Sequence, residues 1–155
     1  MTIDKQTIFL VEDNDDDAEL AKRAFSRANI VNPLVRARDG VEALDYLFGC
    51  GQHAGRNGSE LPAVVFLDLN LPRLSGLEVL KAIRANERTK CLPVVILTSS
   101  NEERDRFGAY DHYANSYVLK PVDYDQFVVA ARQLGLYWMV LNVAPPEKQL
   151  VSPKT

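Results

Sequence analysis

With 155 residues, 46% hydrophobic and 25% charged, the chain has enough apolar material for one domain with a buried core and needs no staples. A net charge of -3, with acids and bases interspersed, offers no clustered Lys/Arg face for nucleic acid, so direct DNA binding is disfavoured. The longest apolar run, Phe127 to Val143, is broken by Arg132, Gln133 and Asn142 and falls short of the roughly 20 residues of a bilayer span, so no membrane segment is expected.

Cys50 and Cys91 form neither a CxxC pair nor a disulfide framework, and no apolar signal region opens the chain. That usage points to a reducing, cytoplasmic setting.

In chain order, Thr7-Ile8-Phe9-Leu10-Val11 is a β-branched and aromatic run that ends in Glu12-Asp13, a buried strand delivering carboxylates at its end. Ala18, Leu20-Ala21, Ala24-Phe25 and Ala28 then recur at three- and four-residue steps. This predicts an amphipathic helix with Asp15 to Asp17 at its positive end. Pro33 to Ala37 reads as a short strand, and Gly40 opens a second helix through Val41, Ala43-Leu44 and Leu47-Phe48. Gly49 to Leu61, with four glycines among polar residues, reads as a flexible surface insertion. It lacks the spacing and the preceding strand of a dinucleotide fingerprint. Cys50 and His53 are too few ligands for a metal site without a second pair.

Val64-Val65-Phe66-Leu67 runs straight into Asp68, the pattern of a strand buried on both faces whose last residue emerges at the carboxyl edge. In open α/β sheets that edge is where ligands sit. Alone, Asp68 is equally well a turn or capping residue. Ser75-Gly76 opens a third helix with Glu78 near its start and Leu77, Val79-Leu80 and Ile83 along it. Pro93 to Leu97 is a fourth strand ending in Thr98-Ser99-Ser100. A polar helix over Glu102 to His112 follows, then Ser116 to Leu119 as a fifth strand ending in Lys120-Pro121. A long last helix runs from near Asp123 to about Asn142. The alternation implies right-handed crossovers and a parallel sheet covered on both faces.

The strand ends collect Glu12, Asp13, Asp68, Thr98 and Lys120. Three carboxylates brought together repel one another unless cations neutralise them. An oxygen-only cluster with few protein ligands suits Mg2+, and Lys120 supplies a second, fixed cation. A metal, a carboxylate nucleophile, an ammonium and a hydroxyl are the parts for moving a phosphoryl group onto Asp68. Thr98 would then find a new acceptor oxygen and move toward it.

In order and strand placement, Glu12-Asp13, Asp68, Thr98 and Lys120-Pro121 resemble the receiver domain of two-component response regulators, over roughly Thr7 to Asn142. The resemblance implies a flavodoxin-like (βα)5 doubly wound parallel sheet in strand order 2-1-3-4-5. It implies Mg2+ held by Asp13, Asp68 and the backbone carbonyl of Asn70, with Glu12 joining through a water, and a histidine kinase as phosphate donor. It further implies that the Tyr117 rotamer follows the switch hydroxyl of Thr98, and that the peptide before Pro121 is cis. The Gly-rich insertion before Leu61-Pro62, the Leu97-Thr98-Ser99-Ser100 stretch and the apolar C-terminal extension are similar to single-domain regulators paired with cyanobacterial phytochrome kinases, which implies a phytochrome partner. The receiver then spans residues 1–143, with the insertion at 49–61 and a short tail at 144–155.

Rival readings are weaker. In the acidic run Asp13 to Asp17, Ala18 stands where a calcium loop needs Gly and Ala24 where it needs the bidentate Glu. A haloacid-dehalogenase-like phosphatase would also use Asp68 as nucleophile, but Asn70 occupies the place of its second acid, so no group there protonates a leaving alcohol. A phosphorylation-independent interaction module is the third reading. Tyr110, Tyr113, Tyr117, Tyr124, Phe127, Tyr137 and Trp138 crowd the last third, and Leu134 to Val143 is apolar nearly all round. A homodimer through the fourth helix, fifth strand, fifth helix and C-terminal extension is therefore expected, strengthened by phosphorylation at Asp68. The roughly thirteen residues after the last helix are too few for an effector domain, so output is expected to pass through a partner or through dimerisation.

Overall fold

A computed structural model describes residues 7–27, 32–55, 61–99 and 116–120, together with Asp123, Asp125, Val128 and Val129. The expected fourth helix, most of the last helix, Pro121, the aromatic dimer face and the tail lie outside the described residues, as do the side chains of Thr98 and Tyr117. The elements are β1 (Ile8–Val11), α1 (Asp15–Arg27), β2 (Leu34–Ala37), α2 (Gly40–Phe48), a single 3-10 turn (Gly51–His53), β3 (Val64–Asp68), α3 (Gly76–Ala85), β4 (Val94–Thr98) and β5 (Ser116–Leu119). They build one parallel sheet in the order β2-β1-β3-β4-β5, the order that the family resemblance implies. Val11 pairs with Ala37 on one side and with Leu67 on the other.

The central strands β1, β3 and β4 are near-continuous apolar runs because both of their faces are covered. Ile8, Leu10, Val64, Phe66, Val95, Leu97 and Val118 pack with Ala18, Ala21, Ala24 and Phe25 of α1. The alternate residues Phe9, Val11, Val65, Leu67, Val94 and Ile96 pack with α2 and α3 through Ala43, Tyr46, Leu47, Val79, Leu80 and Ile83. Period-two alternation therefore sorts one set of strand residues to each face.

Local chemistry sets the helix ends. Asp39 caps α2 by accepting the Glu42 N–H at 2.7 Å, and Gly49 ends it in the left-handed region at φ 66°. Ser75 and Glu78 form a reciprocal capping box at the start of α3. Glycine is required at that start, because a Cβ on Gly76 would run into the carbonyl oxygen of Asp68.

Of the insertion expected over Gly49 to Leu61, residues 49–55 and Leu61 are described. Its first residues are tied to α2: His53 Nε2 lies 3.4 Å from Glu42 Oε2, and its ring meets the Tyr46 ring edge-on at 5.4 Å. Cys50 instead contacts Asp45 Oδ1 at 3.5 Å, so the two candidate ligands Cys50 and His53 turn to different carboxylates.

Candidate functional site at the carboxyl edge of the sheet

Alternation along the strands assembles the site. Glu12 continues the face of Ile8 and Leu10, Asp68 that of Val64 and Phe66, and Lys120 that of Val118, all on the α1 side. Because Val11 pairs with Leu67, Glu12 and Asp68 emerge side by side. Both are buried, at 1% and 2% exposure, whereas Asp13 is exposed. One carboxylate oxygen from each of Glu12, Asp13 and Asp68 lies within 4.8 Å of the other two.

Each buried acid is aimed by a backbone donor. The Asn14 N–H donates to Glu12 Oε2 at 3.1 Å, and the Asn70 N–H donates to Asp68 Oδ1 at 3.1 Å. Lys120 Nζ reaches Asp68 Oδ2 at 3.3 Å, Glu12 Oε1 at 3.2 Å and Asp17 Oδ2 at 3.0 Å. An ammonium has three donors, and here each faces a different carboxylate.

Burial pushes the Glu12 carboxyl up to about 7, with the neighbouring Asp68 charge adding to the rise and the Asn14 N–H and Lys120 opposing it. Asp68 is raised for the same first reason, and Lys120, the Asn70 N–H and Glu12 pull it back. Burial alone would lower Lys120, but Asp17, Asp68 and Glu12 together hold it above its usual value. Lys120 therefore stays charged, and the acids still outnumber it. Hard oxygen donors, an excess of negative charge and one exposed acid at the rim fit a divalent cation such as Mg2+. Among the described residues this is the one group of acids, histidines and cysteines close enough to hold a metal.

Of the residues singled out in the sequence, Glu12, Asp13, Asp68 and Lys120 converge. Asn70 sits two residues past Asp68 with its backbone already engaged on that side chain. Thr98 ends the neighbouring strand β4 and pairs with Leu119, and Tyr117 pairs with Ile96. Two charged residues at the site escaped the sequence reading. Asp17 extends the Ala21–Ala24 stripe of α1 back by four residues, a spacing that aims it at the sheet. Arg36 shares the face of Leu34, and a basic residue at an inward strand position was the available signal.

A doubly wound parallel sheet with paired acids, a third acid and a lysine at its carboxyl edge defines a class, and the comparisons agree on it. The response regulator receiver domain matches residues 8–132, so the chain belongs to that family. Membership places it in phosphorelay signalling, as a phosphoacceptor rather than a conventional enzyme.

It is similar to the probable methanogenesis regulatory protein FilR2 of Methanothrix harundinacea, with 41% identity over 138 residues, 89% of this chain and 86% of that one. The solved bacteriophytochrome response regulator RtBRR is 45% identical at a TM-score of 0.82, covering 91% of this chain and 84% of RtBRR. Response regulator Rcp1 of Synechocystis is 32% identical over 140 residues, 90% of this chain and 93% of Rcp1. Its solved Mn2+-bound form matches at a TM-score of 0.69 over 91% of this chain and 99% of that one. Among the described residues, no helix is long and apolar enough to cross a membrane.

Proposed function

We propose that this receiver takes a phosphoryl group from a histidine kinase onto Asp68 and so switches its own interactions. One observation carries the reading: the Asp68 carboxylate is buried at the end of β3, with one oxygen held by the Asn70 N–H and the other facing Lys120. A side chain held this way is oriented for in-line attack on phosphorus. The bond between phosphorus and the donor nitrogen breaks, and a bond to an Asp68 oxygen forms, leaving an acyl phosphate.

The Lys120 ammonium neutralises charge on the transferring oxygens. Asp13, Asp68 and the Asn70 backbone carbonyl would hold Mg2+, with Glu12 joining through a water, and the ion would supply further neutralisation of those oxygens. The oxygen-only donor set and the Mn2+-bound form of the relative Rcp1 support this assignment. The chain thereby catalyses its own phosphorylation and dephosphorylation. Thr98, at the adjacent strand end, takes the phosphoryl oxygen as a new hydrogen-bond acceptor, and Tyr117 follows it.

The donor is a phytochrome-type histidine kinase in the cytoplasm, a reading supported by the likeness to RtBRR. The response is a homodimer through the fourth helix, fifth strand, fifth helix and C-terminal extension, within a receiver spanning residues 1–143. Acetyl phosphate with Mg2+ tests the central claim. Asp68→Asn is expected to abolish acid-labile phosphate incorporation, and undiminished labelling of that variant would refute it.

A further inference from the structure

We infer that Arg36 is a positioning residue for the divalent-metal site, holding closed the turn that carries Asp13; the inference rests on the metal-dependent reading proposed above. Arg36 lies in β2 beside Leu10 of β1 and shares the face of Leu34, so its side chain runs toward α1. Its guanidinium donates from Nε to the Glu12 backbone carbonyl at 2.9 Å and from Nη1 to Asp15 Oδ1 at 3.0 Å. Glu12 and Asp15 bracket Asp13 in the chain. One planar fork therefore ties the end of β1 to the first residue of α1 across the turn.

Two more bonds from the same strand end back this clamp. The Glu12 N–H donates to the Ala37 carbonyl at 3.0 Å, and Arg38 Nη1 meets Asp15 Oδ1 at 2.9 Å. Asp13 itself is exposed, so its direction follows the backbone of the turn rather than the packing of its own side chain. Arg36 Nη2 is buried with no hydrogen-bond partner among the described residues. A buried donor without an acceptor disfavours the folded chain, so an apolar side chain of that size would serve packing better. What the guanidinium adds is the pair of bonds around Asp13.

Charge and geometry act on metal affinity in opposite directions here. A fixed cation near a metal site repels the incoming ion, so removing Arg36 tightens binding if charge alone matters. Removing the clamp loosens the Asp13 turn, and groups that orient metal ligands from outside are worth roughly 10- to 100-fold in affinity. Mn2+ is the probe, with free ion counted by electron paramagnetic resonance against the full chain. Urea unfolding without metal runs alongside.

The wild type is expected to bind, Asp13→Asn to lose binding, and Arg36→Met and Arg36→Lys to bind about tenfold more weakly. If Arg36 were merely structural, its replacement would move the urea midpoint alone and leave the affinity of the folded protein unmoved. If the wild type fails to bind, or Asp13→Asn binds equally well, the metal reading falls and the inference with it. If those two behave as expected and Arg36→Met binds Mn2+ equally or more tightly, the role of Arg36 alone is overturned. Should Arg36→Met not fold, Arg36→Lys decides: it keeps the charge but has no fork to span both oxygens, so unchanged affinity overturns the inference.

Discussion

The helices on the two faces of the sheet meet it in different ways. From α1 the buried residues are Ala18, Ala21, Ala24 and Phe25; from α3 they are Gly76, Val79, Leu80 and Ile83. The buried stripe of α1 is three alanines ending in Phe25, small side chains over its first three turns. The first turn of α1 places Asp17 on Lys120 and Asp15 on Arg36. The body of α3 buries the branched side chains of Val79, Leu80 and Ile83, and at its start the Gly76 N–H donates to the Leu69 carbonyl at 3.0 Å. One face thus reaches the acidic site with charged side chains and the other with backbone. Small residues mark both approaches, but only on the α3 side does a single atom decide the fit.

Substitutions that add atoms break this comparison most directly. Gly76→Ala is expected to have the largest effect, because its Cβ would collide with the Asp68 carbonyl and approach Leu69 Cα within 2.7 Å, and neither is a movable side-chain end. A loss of about 3 kcal/mol in urea unfolding is expected, with slower acetyl phosphate labelling of Asp68. Wild-type stability would mean that the start of α3 can withdraw freely. Ala21→Leu adds three carbons beneath α1 and is expected to lose about 2 kcal/mol by the same measurement. A neutral result would show that α1 has slack that the alanine stripe does not suggest.

A pH dependence sharpens the charge side of the comparison. In the metal-free protein Glu12 is raised from 4.5 to about 7, and Asp68 is raised as well. The folded state then holds more protons than the unfolded chain across that interval. The corresponding stability is fully present below the unfolded value and is lost as pH rises through the folded one. The melting temperature without metal is expected to fall as pH rises from about 5 to about 8. Glu12→Gln should flatten most of that slope, and a slope left intact would move its origin to Asp68.

Much of this site was legible residue by residue. Glu12, Asp13, Asp68 and Lys120 stand out because each follows an apolar run, and a polar residue there must leave the core at the sheet edge. Ser75 and Glu78 announce a helix start by their spacing, and the capping box forms. Arg36 and Asp17 were less visible because each looks ordinary in its own element, one charge in a short strand and one acid in an acidic run. Their roles depend on what lies across the sheet. The contacts at the start of the insertion are not legible in the sequence, because glycine spacing says nothing of the edge that Tyr46 offers to His53.

By itself the sequence determined the alternation of strands and helices, the residues at the strand ends and the start of the third helix at Ser75, since periodicity and capping act over a few neighbouring residues. The strand order came with the family resemblance. Only the tertiary structure decided that Glu12 is as buried as Asp68, that one ammonium serves three carboxylates, and that Arg36 spans the Asp13 turn. These are distances between residues of separate elements, set by which strands lie side by side and how closely α1 packs on them, and no local pattern encodes a distance of that kind.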